Sequence, residues 1–421
     1  MAQALGFDFG TTNTVLATAH GGTTHSMAFT SAQGTADSMR TALSFMKDPQ
    51  LGTSALKVEA GHAAIRQFID NPGDCRFLQS IKTFAASALF QGTLIFAKRH
   101  SFEDLMEVFI RRLRAYAGEN WSTDVTRIVT GRPVHFAGAN PDPALATERY
   151  NKALLRFGFR EIHYVYEPVA AAFYFAQNLK SDATVLVADF GGGTTDYSLI
   201  RFQTVAGKLT ATPVGHSGVR MIDNIVAPQI GKGSHFKSFD KILEVPSNYY
   251  SSFGRWNQLS IFKTSREFED LKKLVRTALE PEKLETFIDL VDHDEGHPLY
   301  QAISATKMAL SSADEAPFDF GPLGRGGHRI IRRKDFESWI AEDLARIEGT
   351  LNDVLEKTET KPGDIDKVFL TGGTSFVPAV RRIFTERFDA GKIETGGELL
   401  SIAHGLALIG ERDDIAQWTV Q

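Results

Sequence analysis

The sequence predicts a two-lobed α/β protein with largely parallel β-sheets. Short apolar runs that end at Gly, Asp or Glu indicate buried strands, and these runs lie at 128–131, 162–167, 184–190 and 367–373. Helical stretches separate the runs, and strands that alternate with helices favour parallel sheets. A third observation is a repeat: FDFGTTNTV at 7–15 and ADFGGGTTDY at 188–197 both place Asp-Phe-Gly and a Gly/Thr turn after an apolar run. A second apolar strand leaves each turn, so the repeat predicts a β-hairpin at the head of each of two related halves.

Helical spacing is clearest at 101–117, where apolar residues recur three and four positions apart. They are Phe102, Leu105, Met106, Phe109, Leu113 and Tyr116. Further helices are expected at 167–178, 334–357 and 376–388. The segment 226–325 is charged, helical and short of strand signals, which predicts an inserted helical subdomain.

These elements predict two lobes. Lobe I comprises residues 1–178, with an insertion at about 40–118, and residues 395–421 return to it. Lobe II comprises residues 179–394 and carries the helical insertion at about 226–325.

Composition excludes several classes of protein. The 421 residues are 43% hydrophobic and 23% charged, as in folded globular proteins. The net charge of −5 predicts no general affinity for nucleic acid or anionic membranes. The single cysteine, Cys75, cannot form an internal disulfide. Because the N-terminus lacks a signal-peptide pattern and no long apolar run occurs, we expect a cytoplasmic protein with no membrane span.

The two hairpins have the composition of a phosphate clamp. Glycine-rich turns let several backbone N–H groups point at one anion, and the threonines Thr11, Thr12, Thr194 and Thr195 add hydroxyl donors. Asp8 and Asp189 precede the turns and would repel phosphate, so we expect a Mg²⁺ ion with its water shell between them. No Walker P-loop sequence occurs. A single DFGTT could be an ordinary hairpin turn, but two related copies favour the nucleotide interpretation.

Five motifs resemble those of the ATPase superfamily that contains actin and heat-shock protein 70. In chain order they are FDFGTTNT, YEPVAAAFYFA, VADFGGGTTDYSL, FLTGGTSFVPAVRRIF and SIAHGLAL. The first three are closer to heat-shock protein 70 than to actin or sugar kinases. The resemblance implies an actin-like ATPase fold of two lobes, each built on a duplicated, ribonuclease H-like mixed sheet, with ATP or ADP and Mg²⁺ in the cleft. The sequence is similar to the short YegD-like relatives, in which we expect no peptide-binding domain.

The resemblance also assigns residue roles. Lys82, Glu167, Asp189 and Thr194 would be the catalytic residues, and Asp8, Asp189 and Asp196 would hold the metal mostly through water. The nucleotide contacts that it implies are Gly10, Thr11, Thr12, Asn13, Gly191, Gly192, Gly193, Thr194, Thr195, Gly218, Lys307, Ser311, Gly372, Gly373 and Thr374. Glu167, which precedes Pro168, could also simply favour a helix start. Polar adenosine contacts of the family are replaced by Ser304, Met308, Phe376 and Leu399, which predicts weak selection for adenine.

The predicted function is therefore that of a heat-shock protein 70-like ATP-binding protein that hydrolyses ATP slowly and has a chaperone-related role. Three alternatives stay open. The protein could be a nucleotide sensor, whose lobe closure is recognised by a protein partner, a filament-forming actin-like protein, or a small-molecule kinase. ATP-dependent light scattering would distinguish the filament.

Overall fold

The computed structural model describes most of the chain. The described residues are 4–48, 56–71, 74–121, 125–136, 140–176, 183–190, 195–201, 209–212, 221–254, 259, 262–263, 265–293, 295–371, 373–394 and 400–420. They form two compact units. Unit 1 comprises Met1–Val214, Arg346–Ser375 and Val380–Gln421, and unit 2 comprises Gly215–Ala345 and Phe376–Ala379.

Both units contain strands and helices. The strands are β1 Ala4–Phe9, β2 Asn13–His20, β3 Thr23–Ser26, β4 Phe29–Ser31, β5 Gly34–Ala36, β6 Met39–Arg40, β7 Ala42–Lys47, β8 Leu56–Ala60, β9 Cys75–Gln79, β10 Thr93–Ile95, β11 Lys98–His100, β12 Arg127–Arg132, β13 Glu161–Tyr166, β14 Thr184–Phe190, β15 Thr195–Arg201, β16 Leu209–Thr212, β17 His235–Ser238, β18 Lys241–Glu244, β19 Glu315–Asp319, β20 His328–Arg332, β21 Lys367–Thr371 and β22 Ile393–Glu394. The α-helices are α1 Gly61–Asp70, α2 Phe102–Ala117, α3 Pro143–Phe157, α4 Glu167–Ala176, α5 Arg266–Leu274, α6 Pro281–Asp292, α7 Gly296–Ser312, α8 Arg333–Trp339, α9 Ala341–Lys357, α10 Pro378–Thr385 and α11 Ser401–Gly410.

Unit 1 contains two sheets of the same topology. The first has the strand order β13-β12-β1-β2-β3, and the second has the order β22-β21-β14-β15-β16. In each sheet the central strand pairs antiparallel with the strand that follows it and parallel with a strand from much later in the chain. This shared order confirms the mixed, duplicated α/β fold and the two hairpins that the repeat predicted.

Helices α4 and α11 pack between these sheets. Their apolar side chains join Val15 and Val129 of the first sheet and Val185 and Phe369 of the second in one buried cluster. The backbones approach closely, since a Cβ added at Gly405 of α11 would lie 1.7 Å from the carbonyl oxygen of Ala170 in α4. Only glycine permits this crossing.

The opposite face of the first sheet packs on α2 and α3. Helix α2 begins at a capping box, in which the Ser101 hydroxyl accepts from the Asp104 N–H and the Asp104 carboxylate accepts from the Ser101 N–H. Its predicted apolar face is buried as expected from Phe102 to Leu113. Helix α3 begins after Asp142, whose carboxylate accepts from the Leu145 N–H, with Pro143 as its first residue. The sequence features that start each helix are therefore local.

Unit 2 is mainly helical, with two short hairpins. Helices α5, α6 and α7 lie within the segment predicted to be helical, but the same segment contains β17, β18 and β19. These strands were missed because they are short and, in β18, entirely exposed. The helix predicted at 334–357 is divided in two, and Ile340 separates α8 from α9. None of the helices in the described part of the chain has the length and apolarity needed to cross a membrane.

Candidate functional site

The first hairpin turn can be formed only by glycine at its tightest point. A Cβ added at Gly10 would lie 2.3 Å from the carbonyl oxygen of Asn13. The turn is held by Thr41, whose hydroxyl donates to the Gly10 carbonyl at 2.7 Å and whose N–H donates to the Thr12 carbonyl at 2.9 Å. Both bonds use carbonyl oxygens of the turn, so they do not engage its N–H groups. Thr41 lies in none of the five sequence motifs and was therefore not predicted from the sequence.

The aspartates occupy equivalent places in the two sheets. Asp8 and Asp189 are each the last residue but one of a central strand, β1 and β14. Asp8 is buried and faces Val15 across the hairpin, whereas Asp189 faces Asp196. The described residues give only the backbone of Asp189, Thr195 and Asp196. Other predicted contacts lie outside the described residues: Gly191, Gly192, Gly193, Thr194, Gly218 and Gly372.

Lys82 and Glu167 form a buried ion pair in unit 1. The Lys82 Nζ donates to Glu167 Oε1, and the two side chains are only 8% and 10% exposed. The residues are 85 positions apart in the chain, so the fold alone brings them together. A buried ion pair is costly to desolvate and contributes little net stability, which makes a functional role for this pair a reasonable hypothesis.

Local backbone features place both partners. Lys82 lies in a 3₁₀ turn, Ile81–Phe84, that follows Ser80 in the left-handed conformation. Glu167 is the first residue of α4 and follows directly after β13. A Cβ added at Gly131 would lie 3.1 Å from Glu167 Cγ. The absence of a side chain at Gly131 therefore leaves space for the Glu167 side chain.

Tyr150 of α3 lies beside the acidic residues. Burial, with repulsion from the carboxylates of Glu167 and Asp8, raises the pKa of the Tyr150 phenol well above its ordinary value. Its ring contacts Phe9 edge-on, with 6.0 Å between ring centroids. Asp8 and Glu167 thus both lie near one buried, neutral phenol, and Lys82 supplies the positive charge of this cluster. Sequence reasoning missed Tyr150 because its position on the helix looks like ordinary core.

The donor set fits a magnesium ion held through phosphate and water. Mg²⁺ takes oxygen ligands, keeps several waters and is usually bound by one or two carboxylates together with substrate phosphates. Asp8 is an oxygen donor of this kind. Among the described residues no group of three or more His, Cys, Asp or Glu side chains could cage a metal ion. The carboxylate and the glycine turn together suit a metal that arrives with its nucleotide.

Two predicted base contacts lie in unit 2. Desolvation lowers the pKa of the Lys307 amine to about 8, and the Ser311 hydroxyl donates to the Lys307 carbonyl at 3.2 Å within α7. Met308 and Phe376 are 75% and 44% exposed. Their exposure leaves apolar surface where the resemblance implies arginine.

The remaining predicted contacts belong to unit 1. A 3₁₀ turn, Gly373–Phe376, follows β21 and contains Gly373 and the half-buried Thr374. The Arg381 Nε donates to the carbonyl oxygen of Ser375 at 3.0 Å and so ties this turn to the start of α10. Leu399 lies outside the described residues.

One known protein family matches most of the chain. The family model described as "Hsp70 protein" matches residues 4–238 and 269–411. Two curated relatives, both named chaperone protein DnaK, come from two strains of Thermus thermophilus. Each is 24% identical over 408 residues, which cover 92% of this chain and 57% of the relative. The chain thus spans somewhat more than half the length of these relatives. The family match covers both hairpins, the Lys82 turn and helices α4 and α11, and the chain belongs to the heat-shock protein 70 family with its actin-like ATPase fold.

Proposed function

We propose that the chain binds ATP and ADP with Mg²⁺ and hydrolyses ATP slowly. Family membership supports nucleotide binding. The observation that carries the proposal furthest is the buried Lys82–Glu167 ion pair in the same unit as the Gly10 turn and Asp8. A cation, two carboxylates and an open glycine turn are the groups that phosphoryl transfer needs, since it depends on positioning and charge neutralisation.

Each residue has a distinct role in this proposal. The N–H groups of the turn from Gly10 to Asn13 bind phosphate oxygens. Glu167 accepts a hydrogen bond from the attacking water and orients it, while Lys82 stabilises negative charge that develops on the transferred phosphoryl group. Asp8, Asp189 and Asp196 would hold a magnesium ion mostly through water, and the ion would neutralise charge on the phosphate groups. Thr194 and the second turn would contact the phosphate from the other hairpin.

The wider role follows from the relatives. Their name, chaperone protein DnaK, supports a chaperone-related role for this chain, with a protein partner that reads nucleotide-dependent closure. We propose a cytoplasmic location, with no binding to nucleic acid or membrane. Lys307, Ser311, Gly372, Gly373 and Thr374 would contact the base and ribose.

A nucleotide sensor is a second candidate that one observation favours. Lys82 and Glu167 are engaged with each other, and a pair in this state does not present its charges to a phosphate or a water. A protein that kept the pair closed with nucleotide bound would bind ATP without appreciable turnover.

The experiment is a binding and single-turnover panel. A ligand that binds only the folded state raises stability by about 2.7 kcal/mol at a hundredfold excess over Kd, so Mg-ATP should raise the melting temperature. The absence of any shift at millimolar ATP would falsify nucleotide binding.

Lys82→Ala should reduce turnover by about a hundredfold, more than it reduces affinity. Asp189→Asn should make affinity less dependent on Mg²⁺. If the parent binds ATP tightly without turnover, the sensor is correct and hydrolysis is excluded.

A further inference from the structure

Arg149 of α3 is a buried cation with an unusual set of partners. The residue is 8% exposed, and arginine keeps its charge in such places. Buried charges are normally paired with opposite charges or satisfied by several hydrogen bonds. In the part of the chain that the structure describes, no carboxylate forms an ion pair with Arg149. Its guanidinium is satisfied by backbone carbonyl oxygens instead.

All of these carbonyls belong to one short segment, residues 84–90. The Nη1 group donates to the carbonyl oxygens of Phe84, Ala85 and Ser87 at 2.8, 3.0 and 3.0 Å, and Nη2 donates to that of Phe90 at 2.7 Å. Nη1 has two hydrogens for three acceptors, so one hydrogen is shared. A single side chain therefore fixes the path of the whole segment.

The same segment continues directly from the turn that carries Lys82. Phe84 is the last residue of that 3₁₀ turn, and the Ala85 N–H donates to the Lys82 carbonyl at 3.1 Å. The cap of α3 adds a further bond, because the Asp142 N–H donates to the Ala86 carbonyl at 2.9 Å. A chain of hydrogen bonds thus leads from Arg149 to the backbone of Lys82.

Helix α3 also lies near the acidic residues of the cluster. Tyr150, the next residue, lies close enough to Glu167 and Asp8 for their charges to act on its phenol. One helix turn therefore holds the Lys82 segment through the hydrogen bonds of Arg149 and carries Tyr150 beside the acidic residues.

We propose that Arg149 is a positioning residue for Lys82: it holds the 84–90 segment so that the Lys82 ammonium meets Glu167, and loss of its hydrogen bonds releases Lys82 without unfolding the unit. The consequence for phosphoryl transfer rests on the proposed function. The positional claim is independent of it.

The test measures the accessibility of Lys82 directly. Nucleotide-free parent, Arg149→Met and Arg149→Lys proteins are treated with an acetylating N-hydroxysuccinimide ester, and the acylation rate of each lysine is followed by peptide mass spectrometry. The buried, paired Lys82 of the parent should react slowly. Local release should raise its rate by about tenfold in Arg149→Met. Arg149→Lys should give a smaller rise, because an ammonium has three donors and no planar fork. Lys152, exposed on the same helix, is the internal reference and should not change.

A matched control separates this effect from loss of any arginine on α3. Arg156→Met removes an exposed arginine that pairs with Asp104, and Lys82 should react in it as in the parent. Steady-state hydrolysis of ATP is measured on the same proteins. Arg149→Met should lower kcat by about a hundredfold and change KM little, as a misplaced catalytic group does.

The outcomes are distinct. Parent-like acylation of Lys82 in folded Arg149→Met, or an equal rise at Lys152, overturns the proposal. If Arg149→Met does not fold, Arg149→Lys decides by the same criterion, and failure of both to fold shows that Arg149 supports the whole unit rather than Lys82. If the parent binds no nucleotide, the proposed function fails while the acylation result still decides the positional claim.

Discussion

Removing one partner of the Lys82–Glu167 pair should lower the free energy of unfolding by more than the small net amount that the intact pair contributes to it. Lys82→Met keeps most of the side-chain length but leaves the Glu167 carboxylate without this cation at a site where it is only 10% exposed. Removing one partner of a buried pair costs about 3–5 kcal/mol, because the remaining charge stays desolvated. Glu167→Gln should be less destabilising, since the amide oxygen can still accept from Lys82.

The double variant, Lys82→Met with Glu167→Gln, removes both charges. It should therefore be more stable than Lys82→Met alone, with an interaction energy of about 2 kcal/mol in the double-mutant cycle. The exposed pair Lys152–Glu148, whose side chains are 52% and 58% exposed, provides the control. Lys152→Met should change stability by less than about 1 kcal/mol.

Urea titrations followed by far-UV circular dichroism and tryptophan emission give the four free energies of unfolding. The reasoning is refuted if Lys82→Met destabilises no more than Lys152→Met. It is equally refuted if the effects of the two single changes add to within about 0.5 kcal/mol, because the two side chains would then not interact.

Three further predictions concern the helix crossing, pH and the base. Gly405→Ala should destabilise the protein by about 2–3 kcal/mol, because the added methyl group would lie 1.7 Å from the Ala170 carbonyl oxygen. The control Gly349→Ala on α9 meets no atom within 4 Å and should stabilise by about 0.5–1 kcal/mol. Equal melting temperatures for the two variants would contradict this. Desolvation lowers the pKa of Lys307 from 10.5 to about 8. Between these pH values the unfolded chain binds more protons than the folded chain, so the free energy of unfolding should rise with pH. Lys307→Met should lose that rise, and an unchanged pH profile in urea titrations would show that the amine is not desolvated. Met308 and Phe376 are exposed where the resemblance implies arginine, so the dissociation constants of ATP and GTP should differ by less than about fivefold. A strong preference for ATP in competition calorimetry would show that other residues select the base.

The sequence was sufficient for features that depend on local pattern. The two hairpins were predicted because strand, turn and strand are contiguous, and the structure confirms both pairings. The apolar face of α2 follows directly from helical spacing and is buried from Phe102 to Leu113. The break at Ile340 was missed, since apolar spacing continues across it and nothing in the local sequence marks a helix end.

Contacts between residues that are far apart in the chain could be identified only from the folded structure. The resemblance supplied Lys82 and Glu167 individually, but no local signal predicts that they meet across 85 positions. Thr41 and Arg149 were invisible for a different reason: both act on backbone carbonyl oxygens. Carbonyl acceptors are present at every residue, so such partners leave no pattern in side-chain identity.

The shared topology of the two sheets has a consequence for synthesis on the ribosome. The first sheet is complete once β13 has emerged, whereas β14 must wait for β21, which begins at Lys367. About 155 residues separate Thr212, the end of β16, from Lys367, which corresponds to roughly 8–30 s at 5–20 residues per second. Throughout that time the apolar β14 has one unpaired edge, and such an edge invites association with other chains. Nascent chains arrested before Lys367 should therefore aggregate more readily than chains arrested after β22, and slow translation between these points should lower the yield of folded protein.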